Sequence, residues 1–174
     1  MKDKDATALY AAGAVLGGLA SSRMDNVLVR DSQLAVSVVA TAEQMEDAGI
    51  FYISMNVKPG IPRAEAEAKL DTVIADFLKT GPTRDELQRV TTRAASGTIA
   101  GLESVGGFGG KAVSLAQGTL FFNNPGQVKR DLDALAKVRP AAVTKAANKW
   151  LSRPVFSLVV EPGAGVDALL DAVD

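Results

Sequence analysis

Cysteine and histidine are both missing from the 174 residues. Without thiols the chain has no disulfide and no thiolate nucleophile. Without imidazole it has no Ser-His or Cys-His catalysis, and none of the nitrogen ligands that dominate zinc sites. Most hydrolytic and redox chemistry is thereby closed to this chain acting alone. An excess of one charge is also lacking: 19 Lys and Arg stand against 20 Asp and Glu, a formal net charge of -1, and no block of like charge occurs. Nucleic acid and anionic membranes are therefore not expected partners. No apolar run reaches the roughly 20 residues that a membrane-crossing helix needs. Residues 6–20 (ATALYAAGAVLGGLA) have signal-peptide length, but Asp3 and Asp5 cancel Lys2 and Lys4 where a signal carries a positive segment. The run reads instead as an Ala-rich helix buried on most sides and stopped by Gly17-Gly18.

What is present suits one substantial core. Apolar residues make up 47% of a chain long enough for a single domain over residues 1–174. Residues 34–42 (LAVSVVATA) and 49–57 (GIFYISMNV), joined by a short polar turn, predict an antiparallel hairpin, with Phe51, Ile53 and Met55 or the alternate set facing one side. Pro62 is placed for the first turn of a helix whose inner residues are Leu70, Val73, Ile74, Phe77 and Leu78, stopped by Gly81-Pro82. Thr83 and Glu86 have the spacing of a capping box that starts the next helix, with Leu87, Val90, Ala94, Thr98 and Leu102 as its inner stripe. Gly106, Gly107, Gly109 and Gly110 interrupt that helix, and another runs from about Lys111 to Phe121. A turn at Asn124-Pro125-Gly126 leads to a short helix marked by Val128, Leu132 and Leu135. Pro140 then opens a helix with Val143, Ala146, Ala147, Trp150 and Leu151 inside. Residues 155–160 (VFSLVV) predict a strand covered on both faces, and a terminal helix is expected over residues 166–173. The order indicates an α+β fold, an antiparallel or mixed sheet with helices packed on one face.

Candidate chemistry is sparse. Gly107-x-Gly109-x-x-Ala112 and Gly110-Lys111 echo nucleotide-binding loops, but they follow a helix rather than a strand, and Val105 and Ala112 stand where a phosphate loop needs glycine and a hydroxyl. The glycines read instead as a hinge between two helical stretches. Acidic pairs such as Glu43 with Glu46, Glu65 with Glu67, Asp85 with Glu86 and Asp131 with Asp133 lack the ligand count of a calcium site. They read as solvated faces and capping groups. No spacing supports a nucleophile at Ser21-Ser22-Arg23, where hydroxyls after a glycine stop are expected to cap backbone groups.

A resemblance emerges from motifs in order. Residues 16–24 (LGGLASSRM), 28–31 (LVRD) and 34–38 (LAVSV) are similar to the LGG, SSRL, LR and LAYSV runs of the pitrilysin, insulin-degrading and mitochondrial-processing zinc peptidases. Further on, Asp47-Ala48-Gly49, residues 83–87 (TRDEL), the GGFGGKA core of residues 102–116, Asn124-Pro125 and residues 159–163 (VVEPG) resemble the bacterial zinc proteases of that family. Members are built from homologous α/β units, with zinc on a unit bearing His-x-x-Glu-His. A chain without histidine resembles the metal-free, inactive unit. The resemblance implies a pitrilysin-like unit that binds no cofactor itself, with zinc on a partner domain, and that helps enclose peptide substrate without cutting it.

Two departures from the family pattern carry expectations. Arg30 matches an arginine that contacts substrate backbone in relatives, but the accompanying tyrosine position holds Val36 and the intervening loop is one residue short, so a surface ion pair of Arg30 with Asp31 or another acid is an equal expectation. Family units also begin with a strand that Met1 would follow. A sheet lacking it would expose an edge open to a strand from another molecule, a route to a homo-oligomer. The expected partners are thus a zinc-bearing peptidase domain and peptide substrate, with no role for nucleic acid or membrane. A stand-alone interaction or scaffold module is the alternative, and an independent enzyme using carboxylates and lysines comes third. The compartment is not fixed by these residues; exported relatives favour the periplasm, and zero cysteine accommodates it.

Overall fold

The computed structural model describes residues 3–45 and 48–161. Six α-helices, a π-helical segment and a hairpin follow one another: α1 (Ala6–Gly17), the π-helical segment (Asp25–Asp31), β1 (Ala35–Gln44), β2 (Gly49–Val57), α2 (Arg63–Thr80), α3 (Arg84–Glu103), α4 (Lys111–Phe122), α5 (Gln127–Ala136) and α6 (Pro140–Leu151). The class is α+β, with helices laid against one face of the hairpin.

The Ala-rich composition of α1 serves close packing. Ala11, Ala12 and Leu16 are fully buried, and the helix rests directly on the backbone of β1. A Cβ at Gly17 would lie 2.5 Å from the Ala40 amide nitrogen, and one at Gly13 would lie 3.0 Å from the Thr41 Cα. Gly17, expected only as a helix stop, is the last helical residue and the point of closest approach to the sheet. The β1–β2 register pairs Val38 with Met55, Ala40 with Ile53 and Ala42 with Phe51. This set faces α1, because alternate residues of a strand share a face. The outer face carries polar pairs: Asn56 donates to Ser37 (2.8 Å) and the Tyr52 hydroxyl donates to Glu43 (3.1 Å).

The helix boundaries follow local chemistry. Pro62 caps α2 one residue before its first turn, and Gly81 ends it at φ +67°, a conformation that favours glycine. Thr83 and Glu86 close the capping box of α3, each side chain bonding the other's backbone N–H. Pro140 opens α6, where its missing N–H costs nothing. Phe77, Leu16, Met24, Leu28 and Val143 are the largest fully buried side chains, so α1, α2, α6 and the hairpin share one core.

One expected element does not form. Residues 155–160 adopt no strand among the described residues, and Val155, Phe156, Leu158 and Val160 are 75–89% exposed. A strand is completed by hydrogen bonds from a neighbour distant in sequence, so an apolar β-branched run without a partner edge stays unpaired. The sheet of the described residues accordingly has two strands instead of the expected three. The helix expected over residues 166–173 lies outside the described residues.

Candidate functional site

The segment between α1 and β1 carries the motif residues. Met24 and Leu28, both fully buried, anchor it to the core. From Asp25 to Asp31 the helix is widened: at its end Ser32 N–H donates to the Val27 carbonyl five residues back (3.0 Å), and Leu34 N–H donates to Leu28 (2.9 Å). Gln33, at φ 53°, then turns the chain into β1. This widening decides where Arg30 sits. In an α-helix, residues five apart point roughly 140° from each other. Here they meet, and Arg30 Nε lies 2.9 Å from Asp25 Oδ2. Arg30 Nη2 also donates to the Ala20 carbonyl. The acid partner is therefore Asp25, not the adjacent Asp31. The Arg30 side chain is 57% exposed, with its guanidinium held by Asp25 and the Ala20 carbonyl. Val36 is 60% exposed at the register shift between Ala35 and Ser37.

A second arginine ties this segment to the helical layer. Arg23 grips Glu86 through two parallel bonds, Nε to Oε1 at 2.8 Å and Nη2 to Oε2 at 2.9 Å. It also donates to the Gly81 carbonyl (2.7 Å) and to Thr80 Oγ1 (3.0 Å), and it stacks 5.2 Å from the centroid of the Phe77 ring. Burial pushes the Glu86 carboxyl up, but the hydrogen bonds from Arg23 and Thr83 and the guanidinium charge outweigh it and hold it below its ordinary value. The Glu86 bond holds Arg23 above its own. Glu86 thus caps α3 and locks Arg23 with the same carboxylate. The lock escaped sequence reasoning because its partners are 63 residues apart; the available signal was a charged residue inside an apolar-flanked motif. Next to it, the Ser22 hydroxyl is buried without a hydrogen-bond partner, so it does not cap the backbone as expected.

The four glycines of the expected hinge lie between α3 and α4. Three bonds gather the turn: Gly110 N–H to Gly107 (3.3 Å), Lys111 N–H to Ser104 (2.9 Å) and Ala112 N–H to Val105 (3.0 Å). Gly107 needs its φ of +84°, and a Cβ on Gly110 would sit 2.2 Å from the Gly106 oxygen. Phe108 at the tip is completely exposed. Two open clefts lie on the surface, one of about 410 Å³ between α1 and α3 and one of about 480 Å³ beside α4 and α5. Neither is lined by Arg30.

A family profile described as the peptidase M16 inactive domain matches residues 1–93. The chain belongs to the peptidase M16 inactive-domain family. That is the pitrilysin-type family whose motifs the sequence resembles. No curated protein matches the sequence. Among solved structures, this M16 domain is similar to a protease from Helicobacter pylori, with a TM-score of 0.75 and 21% identity over 86% of this chain and 35% of that one. It is also similar to an inactive peptidase domain from Bordetella parapertussis, with a TM-score of 0.72 and 18% identity over 86% of this chain and 78% of that one. A peptidase M16 inactive domain from Pseudomonas fluorescens gives 0.70 and 21% over 84% and 34%. These likenesses show the fold. The chain spans about a third of the Helicobacter and Pseudomonas chains.

The residues of this M16 domain do not fit a catalytic zinc. The sequence offers neither histidine nor cysteine, and among the described residues no three acidic side chains come together as a ligand set. No helix of the described residues is long and apolar enough to cross a membrane. What the site can do chemically is donate hydrogen bonds: Arg30 presents a fixed, exposed cation on a surface turn whose shape Arg23 and the buried Met24 and Leu28 maintain.

Proposed function

We infer that this chain acts as the noncatalytic domain of a zinc metalloprotease, packing against a zinc-bearing M16 domain and helping to enclose a peptide. The match to the inactive-domain profile carries this reading, and the absence of any imidazole in the sequence agrees with it. In this reading the chain cuts nothing alone, and the metal that activates water stays on the partner. Arg30 contacts the peptide backbone, where a guanidinium already oriented by Asp25 and Ala20 loses little freedom on binding a carbonyl. The glycines at 106, 107, 109 and 110 serve as the hinge that lets α4 adjust against the partner.

Reconstitution tests the reading. The chain is mixed with its cognate zinc-bearing M16 domain and cleavage of an unstructured peptide is followed. Cleavage is expected only when both are present, and Arg30→Ala is expected to raise KM several-fold while leaving kcat nearly unchanged. Zinc-dependent cleavage by this chain alone would overturn the proposal. An active partner that gains nothing from the mixture would favour a scaffold module instead.

A further inference from the structure

The cleft of about 410 Å³ between α1 and α3 has no part in the reading above. Tyr10 and Ala14, four residues apart, line it from α1, and Arg93, Ala94, Gly97 and Thr98 line it from α3. Spacings of three and four put each set on one face of its helix. Gly97 lies in the interior of α3, where glycine costs about 1 kcal/mol relative to alanine. No local need explains it. Its φ is not positive, and a Cβ there would meet nothing within 4 Å, whereas a Cβ at Gly13 or Gly17 of α1 would strike the backbone of β1. The missing side chain leaves the space to the cleft.

The polar groups of this cleft are unengaged. Thr72, Thr91 and Thr119 each donate to the carbonyl four residues back (2.9 Å), but the half-buried Thr98 makes no such bond. Among the described residues the Tyr10 hydroxyl bonds to nothing, and Arg93 has neither an ion pair nor a side-chain hydrogen bond. No acid stands three or four residues from Arg93, and α1 carries no charge at all. No acid lines the cleft either. A guanidinium and two hydroxyls therefore surround a floor of alanine and glycine, and the charge that would match the guanidinium is not supplied by this chain's lining residues.

We propose that this cleft binds the C-terminal residue of a peptide. The terminal carboxylate pairs with Arg93, whose fork of N–H groups matches two oxygens, and the Tyr10 and Thr98 hydroxyls supply further donors. An apolar last side chain lies against Ala14, Ala94 and the space at Gly97. The volume falls within the range of ligand sites, but sites for free small molecules enclose roughly 70–90% of the ligand, and this cleft opens to solvent. That shape suits the end of a longer chain. Arg30 does not line the cleft, so the site is a contact independent of the one inferred for Arg30.

Amide chemical-shift titration of the isotope-labelled chain with N-acetyl-Ala-Ala-Leu, as free acid and as amide, tests the proposal. Saturable shifts are expected in α1 and α3, with the acid binding about ten-fold tighter than the amide. Arg93→Gln, at an exposed position, is expected to remove that preference. Gly97→Leu fills the cleft and is expected to abolish binding of both peptides while thermal stability holds. Arg30→Ala is expected to leave both affinities unchanged. Equal affinities for acid and amide would overturn the proposal, as would shifts confined to other elements or a preference that survives Arg93→Gln. Binding that persists in Gly97→Leu or weakens in Arg30→Ala would overturn it too. Octanoate binding more tightly than the peptide would assign the cleft to free carboxylates instead and overturn the peptide assignment.

Discussion

The layer made by α1, the hairpin, α2 and α6 encloses Leu16, Met24, Leu28, Phe77 and Val143 completely. The region from the end of α3 through the glycine turn to α4 has apolar side chains of the same size, yet Ile99, Val105, Phe108, Leu115 and Leu120 stand 46–105% exposed. Hydrophobic composition alone does not bury a side chain; an opposing surface within reach of the same chain does. The first region has one because α1 is stripped to alanine and glycine where it meets the strand backbone. In the second, α4 rests on α5 and, less extensively, on α3. The profile of the inactive-domain family matches residues 1–93, largely the enclosed region, so the part that identifies the family is also the part that packs.

The sharpest way to break this comparison is a pair of truncations. Phe77→Ala empties a fully buried site and is expected to cost about 3–5 kcal/mol in denaturant unfolding, whereas Phe108→Ala, at the exposed tip, is expected to stay within about 0.5 kcal/mol. Equal costs would show that the glycine turn is packed in solution. A second pair adds a methyl group. Gly17→Ala drives a Cβ into the Ala40 backbone and is expected to lose about 1–3 kcal/mol, while Gly106→Ala meets open space and is expected to change thermal stability little. Cutting the lock is expected to cost a similar amount: Arg23→Ala leaves Glu86 its Thr83 bonds and is expected to lose about 1–3 kcal/mol.

The smallest effect is a pH dependence. The Glu86 carboxyl is held below its ordinary value of 4.5 in the folded chain. Its contribution is therefore complete above that value and is lost as pH falls through the lower, folded one. A stability profile from neutral to acid pH should accordingly be flatter in Glu86→Gln than in the natural chain over the acid range. Identical slopes would show that the lock carries no charge-dependent stability.

Much of this arrangement was legible before any fold was seen. The helix with Val73 and Phe77 inside, the capping box of Thr83 and Glu86, the proline opening α6 and the hairpin with Phe51, Ile53 and Met55 on one side each depend on residues a few positions apart. The family, too, could be read from short motifs in order. The Arg23 lock and the Asp25 partner of Arg30 could not. The first joins residues 63 apart, and the second depends on a helix widened over Asp25–Asp31.

Residues 155–160 draw the dividing line most clearly. Chemistry written in neighbouring residues governs where helices begin and end, which side of a strand is apolar, and whether imidazole or thiol chemistry is available, because those properties need no distant partner. Whether an apolar run becomes a strand, whether an arginine is locked or presented to solvent, and which leucine lies inside depend on surfaces brought together from far along the chain. Those outcomes were settled by packing, since a ladder bond, an ion pair or a buried contact takes two sides and the local residues supply one.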